Sequence, residues 1–395
     1  MTRRSVDEHA GVVAALVRPA LAALDAETVP LAAGRGRILA IEQRSTVALP
    51  PFRNAQMDGW AARSAEIADA PVELPVSGVQ AAGPAAPRRL APGTVLKVMT
   101  GAPLPEGADC VVPVEDTESA GDRIRIRIRR RSGEYVREAG SDLAAGALVA
   151  PSGAVLTPRR LAALAASGIA AVPVRRRARV AVLTTGEEVV EPGGPLAFGQ
   201  VYDANATVLA ALLEEAGAEP LPPVRTRDEP AAFASALDAA LADADLVLTS
   251  GGISHGDFEV VRQVLEPRGA EVTEIAMQPG GPQATALLDG VPVIGFPGNP
   301  VSTQVSFTVL LRPLLREAAG LPPIEALRLP LGVAIDSPRG RRQWLRGRVE
   351  DGRAVPVGGS SSHLLATMAE AEVLLDVPAD AARLEVGDLV SVLPL

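Results

Sequence analysis

The sequence predicts a multidomain α/β protein: a central α/β sheet domain, preceded by a helical start and a region of short β runs and followed by a small β domain. Two observations carry the central domain. Four short apolar runs, residues 179–183, 245–248, 271–277 and 291–295, each lead into a Gly-rich turn. The turns are Thr184-Thr-Gly-Glu-Glu188, Thr249-Ser-Gly-Gly-Ile-Ser-His-Gly-Asp257, Gln278-Pro-Gly-Gly-Pro282 and Phe296-Pro-Gly-Asn-Pro300. Helical stretches separate the first three runs, the pattern of a parallel sheet with helical crossovers. In such a sheet the carboxyl ends of the strands share one edge, where ligands bind. Exposed amides of Gly-rich turns and helix starts favour anions, so the edge is expected to hold a phosphorylated or oxyanionic small molecule.

The elements follow in order. Ser5-Val-Asp-Glu8 reads as a capping box, predicting a helix to about Ala26 that is kinked near Pro19. From Leu49-Pro-Pro-Phe52 to about Val136 the texture is of short β runs broken by Pro and Gly. Within it, Arg123-Ile-Arg-Ile-Arg-Ile128 alternates strictly, burying Ile on one face. Its arginines are either those of a solvated edge strand or an anion-attracting face. Thr157-Pro158 and Gly168 supply the cap, first-turn proline and terminating glycine of one helix. After the linker Pro173–Ala178, helices are expected over 205–216, 230–242, 258–265 and 300–319, the last capped by Asn299-Pro300. Gly320-Leu-Pro-Pro-Ile324 marks another boundary, and the last seventy or so residues alternate like strands.

Bulk properties narrow the function. At 395 residues there is room for two to four domains. The 47 % hydrophobic and 22 % charged content is that of an ordinary globular chain. A net charge of −9 argues against a nucleic-acid surface, and an anionic substrate then needs a local donor cluster. Cys110, the single cysteine, excludes an internal disulfide and a Cys-based zinc site. His9, His255 and His363 lie too far apart in sequence to suggest a His-rich metal centre, while Mg²⁺ on oxygen ligands stays open. The polar N-terminus lacks an apolar signal core, and the uncharged run 291–311 reads as strand, turn and helix rather than a membrane span. A cytoplasmic protein, without membrane or nucleic-acid partners, is expected.

Six segments taken together resemble the molybdopterin molybdenumtransferases of the MoeA type. They are Pro50-Pro-Phe-Arg-Asn-Ala-Gln-Met-Asp-Gly-Trp60, Met99-Thr-Gly-Ala-Pro-Leu-Pro-Glu-Gly-Ala-Asp109, Val136-Arg-Glu-Ala-Gly-Ser-Asp142, Thr184–Glu188, Gly251–Asp257 and Phe296–Ser302. Gly340-Arg-Arg-Gln-Trp-Leu-Arg346 and Ser360-Ser-Ser-His-Leu364 resemble the family's tail. The resemblance implies four parts: an elongated helical part of residues 1–46 with 143–175, an inserted β domain 47–142, a molybdopterin-binding α/β domain 176–322, and a small C-terminal β barrel 323–395. It implies a homodimer whose active site joins the α/β domain of one subunit to the inserted domain of the other. It also implies the reaction: molybdate enters adenylylated molybdopterin, with Mg²⁺ assistance and release of AMP. The molybdopterin adenylyltransferase is a possible partner.

Site residues follow from the same resemblance. Asp58, Asp142, Glu188 and Asp257 are the catalytic candidates, and Glu187, Glu188 and Asp257 the Mg²⁺ candidates. Thr100, Gly186, Gly251, Gly252, Ser254, Gly298 and Asn299 are assigned to the substrate. Pro282, Ser302, Arg341 and Ser361 or Ser362 are assigned to molybdate, and Gln278 to the substrate as a neutral donor in place of a motif lysine. Simpler readings stand beside these: Asp58 before Gly59 as a turn carboxylate, and Asp257 and Asp228 as helix caps.

The chain departs from the family in two motifs. Gln278-Pro-Gly-Gly-Pro282 replaces the usual Lys-Pro-Gly-Lys-Pro, removing both cations. Charge-assisted bonds to an oxyanion are about twice as strong as neutral ones, so the loss is substantial. Arg53 and Ala55 stand where the family has an acidic residue and a serine, and Arg53 is expected to compensate in part. The lost lysines leave open a non-catalytic carrier of molybdopterin or its finished cofactor. An adenylyltransferase is a third reading, disfavoured by the large inserted and tail domains. Tungsten is not distinguished from molybdenum.

Overall fold

A computed structural model describes residues 3–253 and 259–395. The chain divides into two compact units, one of residues 28–174 and one joining the segment up to Glu27 with 175–395.

In the second unit, Arg179–Thr185, Leu246–Ser250 and Val291–Phe296 are neighbouring parallel strands. Their side chains alternate between two buried faces, as a parallel sheet covered on both sides requires. Val180, Val182, Leu246, Leu248, Ile294 and Phe296 belong to a core that includes residues of helices Val6–Ala22, Ala204–Glu215 and Pro300–Ser306. Ala181, Leu183, Val247 and Val293 point the other way, toward helices Pro230–Asp243 and Val260–Leu265. The first helix has the expected capping box on Ser5 and Glu8. It runs through Pro19, whose missing N–H falls near the helix end, and stops at Ala22 rather than Ala26.

The expected strand 271–277 is two pieces. Glu271–Glu274 pairs antiparallel with Pro282–Leu288, which pairs antiparallel with Val291–Phe296. Two reversals restore direction, so Glu274 ends on the same edge as Ser250 and Phe296. The chain then leaves the sheet, and Met277–Gln278 pairs in parallel with Arg342–Gln343 of the C-terminal sheet. The expected helix 300–319 is continuous to Ala318 but widens into a π turn at Phe307–Leu311. Pro313, which has no N–H for an i−4 carbonyl, follows directly. The C-terminal strands Leu327–Pro330, Leu389–Pro394, Val373–Val377, Arg342–Glu350 and Arg353–Pro356 pair in that order. A bridge between Leu331 and Ala354 links the two ends of the run.

In the other unit, the six-stranded sheet runs Cys110–Pro113, Gly59–Ala62, Val95–Val98, Val72–Gln80, Arg123–Ile126, Thr117–Ala120. Gly59 is obligatory there, because a Cβ would lie 2.2 Å from the Val112 carbonyl oxygen. Ile124 and Ile126 are buried, as the alternation predicted. The arginine strand is not the edge, however: Thr117–Ala120 lies outside it, and Glu118 pairs with Arg125 and Arg127. The helix Pro158–Ala166 has Thr157 as its cap, with Gly168 at φ +82° just beyond its end.

Candidate functional site

Three strand tips of the α/β sheet meet at a cavity of about 410 Å³. Gly186, Glu188, Gly251, Gly252, Gly298 and Asn299, all nominated from the sequence, line it. The glycines are there because backbones touch. A Cβ on Gly251 would sit 2.9 Å from the Thr185 carbonyl oxygen, at φ +99°, and one on Gly298 would sit 3.1 Å from Gly251 Cα. Hydrogen bonds tie the loops to one another. Thr184 Oγ1 donates to Asp203 at 2.7 Å, and Asp203 also caps the helix Ala204–Glu215 through the Ala206 amide. Asn205 Nδ2 donates to the Gly298 carbonyl at 2.7 Å, and Thr303 Oγ1 to that of Pro297 at 2.6 Å.

Asp228 does not cap the helix at Pro230; Glu229 holds the cap position without a side-chain bond. Asp228 instead accepts from Thr185 Oγ1 and the Glu187 amide, fixing the first turn, and lines the cavity. Asn299 occupies the expected cap position before Pro300, yet its side chain makes no cap bond. The buried Oδ1 atoms of Asn205 and Asn299 have no hydrogen-bond partner among the described residues, an uncommon state for buried oxygens. Glu187 is exposed and outside the lining. Ser254 and Asp257 lie outside the described residues.

The sequence reading passed over Asp203, Asn205 and Glu259, which also line this cavity. Starting the helix at Asn205 hid the cap signal of Asp203 one residue before Ala204.

A second cavity, of about 460 Å³, shares Pro282 with the first. It gathers the residues assigned to molybdate, Pro282, Ser302 and Arg341 with both of the alternative serines, Ser361 and Ser362, and Gln278 beside them. The parallel pairing of Met277–Gln278 with Arg342–Gln343 sets Arg341 beside the Gly-rich turn. Ser302 stands in the first turn of the helix Pro300–Ser306. Behind the serine loop lies Arg346, only 3 % exposed, donating to the carbonyls of Gly359 and Ser361. Burial pushes its guanidinium pKa below the usual arginine range. Carbonyl and N–H of one trans peptide point opposite ways, so these bonds turn the Ser360 and Ser362 amides away from Arg346. Glu274 also lines the cavity, and Gln278 Oε1 is buried without a partner among the described residues.

In the unit of residues 28–174, Asp58 and Thr100 meet. Asp58 Oδ1 accepts from the Thr100 amide at 2.7 Å and its hydroxyl at 2.8 Å. The backbone bond first, and the hydroxyl second, hold the Asp58 carboxyl below the usual range. It is therefore no self-bonded turn residue. Asp142 is exposed, its amide bound to the Leu49 carbonyl at 2.9 Å. Arg53 makes a two-point pair with Glu138, at 2.8 and 2.9 Å, so its charge is matched locally. Ala55 is fully buried among apolar side chains, where a serine hydroxyl would need a partner.

A larger, mostly apolar cavity of about 640 Å³ borders the first helix. Its arginines are engaged: Arg342 with Asp376 and Asp7, Arg312 with the Pro394 carbonyl, Arg316 with the Pro322 carbonyl. It offers an anion little. Among the described residues no cluster of three His, Cys, Asp or Glu could enclose a metal. Glu188 and Asp228 in the first cavity nevertheless suit Mg²⁺, which keeps several waters and leans on one or two carboxylates plus substrate phosphates. No described helix is long and apolar enough to cross a membrane.

Comparison with known proteins fits this geometry. Residues 181–317 match a family described as a probable molybdopterin binding domain. Residues 4–168 match the MoeA N-terminal region (domain I and II), and 328–395 the MoeA C-terminal region (domain IV). Molybdopterin molybdenumtransferase 2 of Mycobacterium tuberculosis is 41 % identical, over 97 % of this chain and 98 % of its own. Molybdopterin molybdenumtransferase of a Nostoc species is 37 % identical, over 80 % of this chain and 75 % of its own. A crystal structure of a molybdopterin biosynthesis MoeA protein from Pyrococcus horikoshii superposes with a TM-score of 0.84 at 32 % identity, covering 100 % of this chain and 99 % of that one. The α/β unit is thus of the molybdopterin-binding class. The chain as a whole belongs to the molybdopterin molybdenumtransferase family.

Proposed function

We propose that this chain inserts molybdate into adenylylated molybdopterin, releasing AMP. One observation carries the reading: Pro282, Ser302, Arg341 and the Ser361–Ser362 pair, from four separate sequence segments and chosen as oxyanion ligands, line one cavity next to the strand-tip cavity. Pro282 lines both cavities, which supports reading the oxyanion and the pterin as neighbours.

The amides of Gly251, Gly252 and Gly298 hold the pterin phosphate. Asp203 and Asp228 anchor the first turn and Asn205 the Gly298 turn, each by a bond to another segment that forms the cavity. Mg²⁺, held by Glu188 and Asp228 with substrate oxygens, would neutralise phosphoanhydride charge when bound. Ser302 and the amides of the serine loop donate to molybdate, and Arg341 supplies positive charge. Asp58, whose carboxyl Thr100 holds below its usual range, and Asp142 are the catalytic carboxylates that the family resemblance nominates from residues 28–174. The homodimer, cytoplasmic location and partnership with an adenylyltransferase belong to the same proposal.

The carrier reading keeps one observation in its favour: Gly281 brings no cation, and Glu274 faces the cavity in its place. A single assay divides the readings. With adenylylated molybdopterin, Mg²⁺ and molybdate supplied, molybdate-dependent AMP release is expected. Tight binding without AMP release would favour the carrier. ATP consumption with free molybdopterin would favour the adenylyltransferase.

A further inference from the structure

We propose that Arg3 is a positioning residue for the oxyanion cavity, replacing a missing motif lysine by neutralising Glu274 so that Arg341 keeps its charge for the ligand. The inference rests on the oxyanion reading of that cavity. Its geometry is local. The N-terminal segment lies along the strand exit: the Ala276 amide donates to the Arg4 carbonyl at 2.8 Å, and Arg4 bridges Ile275 in parallel register. Arg4 is fastened further by Glu271, at 2.6 and 3.2 Å. The residue before it is thereby brought to Glu274. Arg3 reaches Glu274 Oε1 at 3.1 Å, and Arg341 approaches the same oxygen at 3.8 Å.

Gly281 explains why this cluster matters. A Cβ there would lie 3.2 Å from that same Glu274 oxygen. A cationic side chain at 281 would therefore start against the carboxylate and could match its charge. Here glycine supplies none, and Glu274 stands on the cavity wall. Taken as a pair, Glu274 and Arg341 cancel in charge. Adding Arg3 leaves one positive charge among the three groups. A tetrahedral dianion needs that surplus, because hydroxyls and amides alone form the weaker, neutral class of bond. Glu274 is about a quarter exposed and Arg3 more so, so solvent screens the effect to a moderate size.

Calorimetric titration of the full chain with molybdate tests this. Arg3→Ala should weaken binding about tenfold, equivalent to about 1.4 kcal/mol. Arg3→Lys should restore most of the affinity. Glu274→Gln in the Arg3→Ala background should return binding to the original level or tighter, since the carboxylate that needs matching is gone. A merely structural role for Arg3 would not be rescued by that change. If Arg341→Ala weakens binding while Arg3→Ala does not, the cavity reading stands and the role given to Arg3 falls. If the Arg3→Ala loss persists with Glu274→Gln, the role falls as well. If neither arginine matters, the oxyanion reading itself is wrong.

Discussion

Restoring a lysine at position 281 should strengthen oxyanion binding. Gly281 is not among the residues with positive φ, so its backbone accepts an L side chain without strain. The new Cβ would lie 3.2 Å from Glu274 Oε1, a distance the flexible carboxylate relieves by moving a few tenths of an ångström. Two unit charges about 4 Å apart attract by about 1 kcal/mol in water and about 4 kcal/mol at an effective dielectric of 20. The cavity is open and Glu274 claims part of the new charge, so the lower part of that interval applies. A gain of about 1–2 kcal/mol means roughly five- to thirtyfold tighter molybdate. Titration calorimetry of Gly281→Lys measures it, alongside a thermal melt that reports what a side chain at this buried backbone position costs the fold. At subsaturating molybdate, AMP release should rise in parallel. An unchanged or weaker affinity in a folded Gly281→Lys variant would refute the claim that a second cation on this wall strengthens oxyanion binding.

Three further outcomes follow from the geometry. Gly251→Ala should destabilise by about 2–4 kcal/mol, from positive φ and the close Thr185 carbonyl, and should abolish pterin binding; chemical denaturation and a binding titration check both. Asp58→Asn keeps an oxygen for the two Thr100 donors but loses the charge, so the fold should persist while turnover drops on the order of a hundredfold. His9, fully buried, has its pKa pushed down to about 4 by burial, helped by nearby Arg4. Because the unfolded chain takes up that proton near pH 6.5 and the folded chain does not, stability falls as pH drops from 6.5 toward 4. The loss between pH 7 and 5 is about 2 kcal/mol. Urea midpoints at the two pH values should separate the wild type from His9→Leu, which lacks this sensitivity.

Much of the molecule could be read from local signals. Ser5 with Glu8, Thr157 with Pro158 and Asn299 before Pro300 marked helix starts because capping is decided within four residues. Alternation marked Ile124 and Ile126 as buried, yet could not show that Thr117–Ala120 covers the arginine strand's edge, since strand order is non-local. The split of 271–277 was hidden for a similar reason: the run is uniformly β-like, and only the distant Arg342–Gln343 pairs with its end. Asp228 illustrates the competition between local and tertiary demands. Its position before Pro230 reads as a cap, but Thr185 and the Glu187 amide, on another loop, take its oxygens. Arg53 was the obvious replacement cation in the motifs, and Glu138 already matches it. Arg3 carries no motif signal at all; its place is set by backbone pairing between Arg4 and Ile275.

The most direct test of the account is where an oxyanion binds. Crystals soaked in tungstate, a heavier analogue of molybdate, should give an anomalous peak within hydrogen-bonding reach of Ser302, Arg341 and the Ser361–Ser362 loop. Anomalous peaks found only elsewhere, with nothing in that cavity at saturating tungstate, would contradict it.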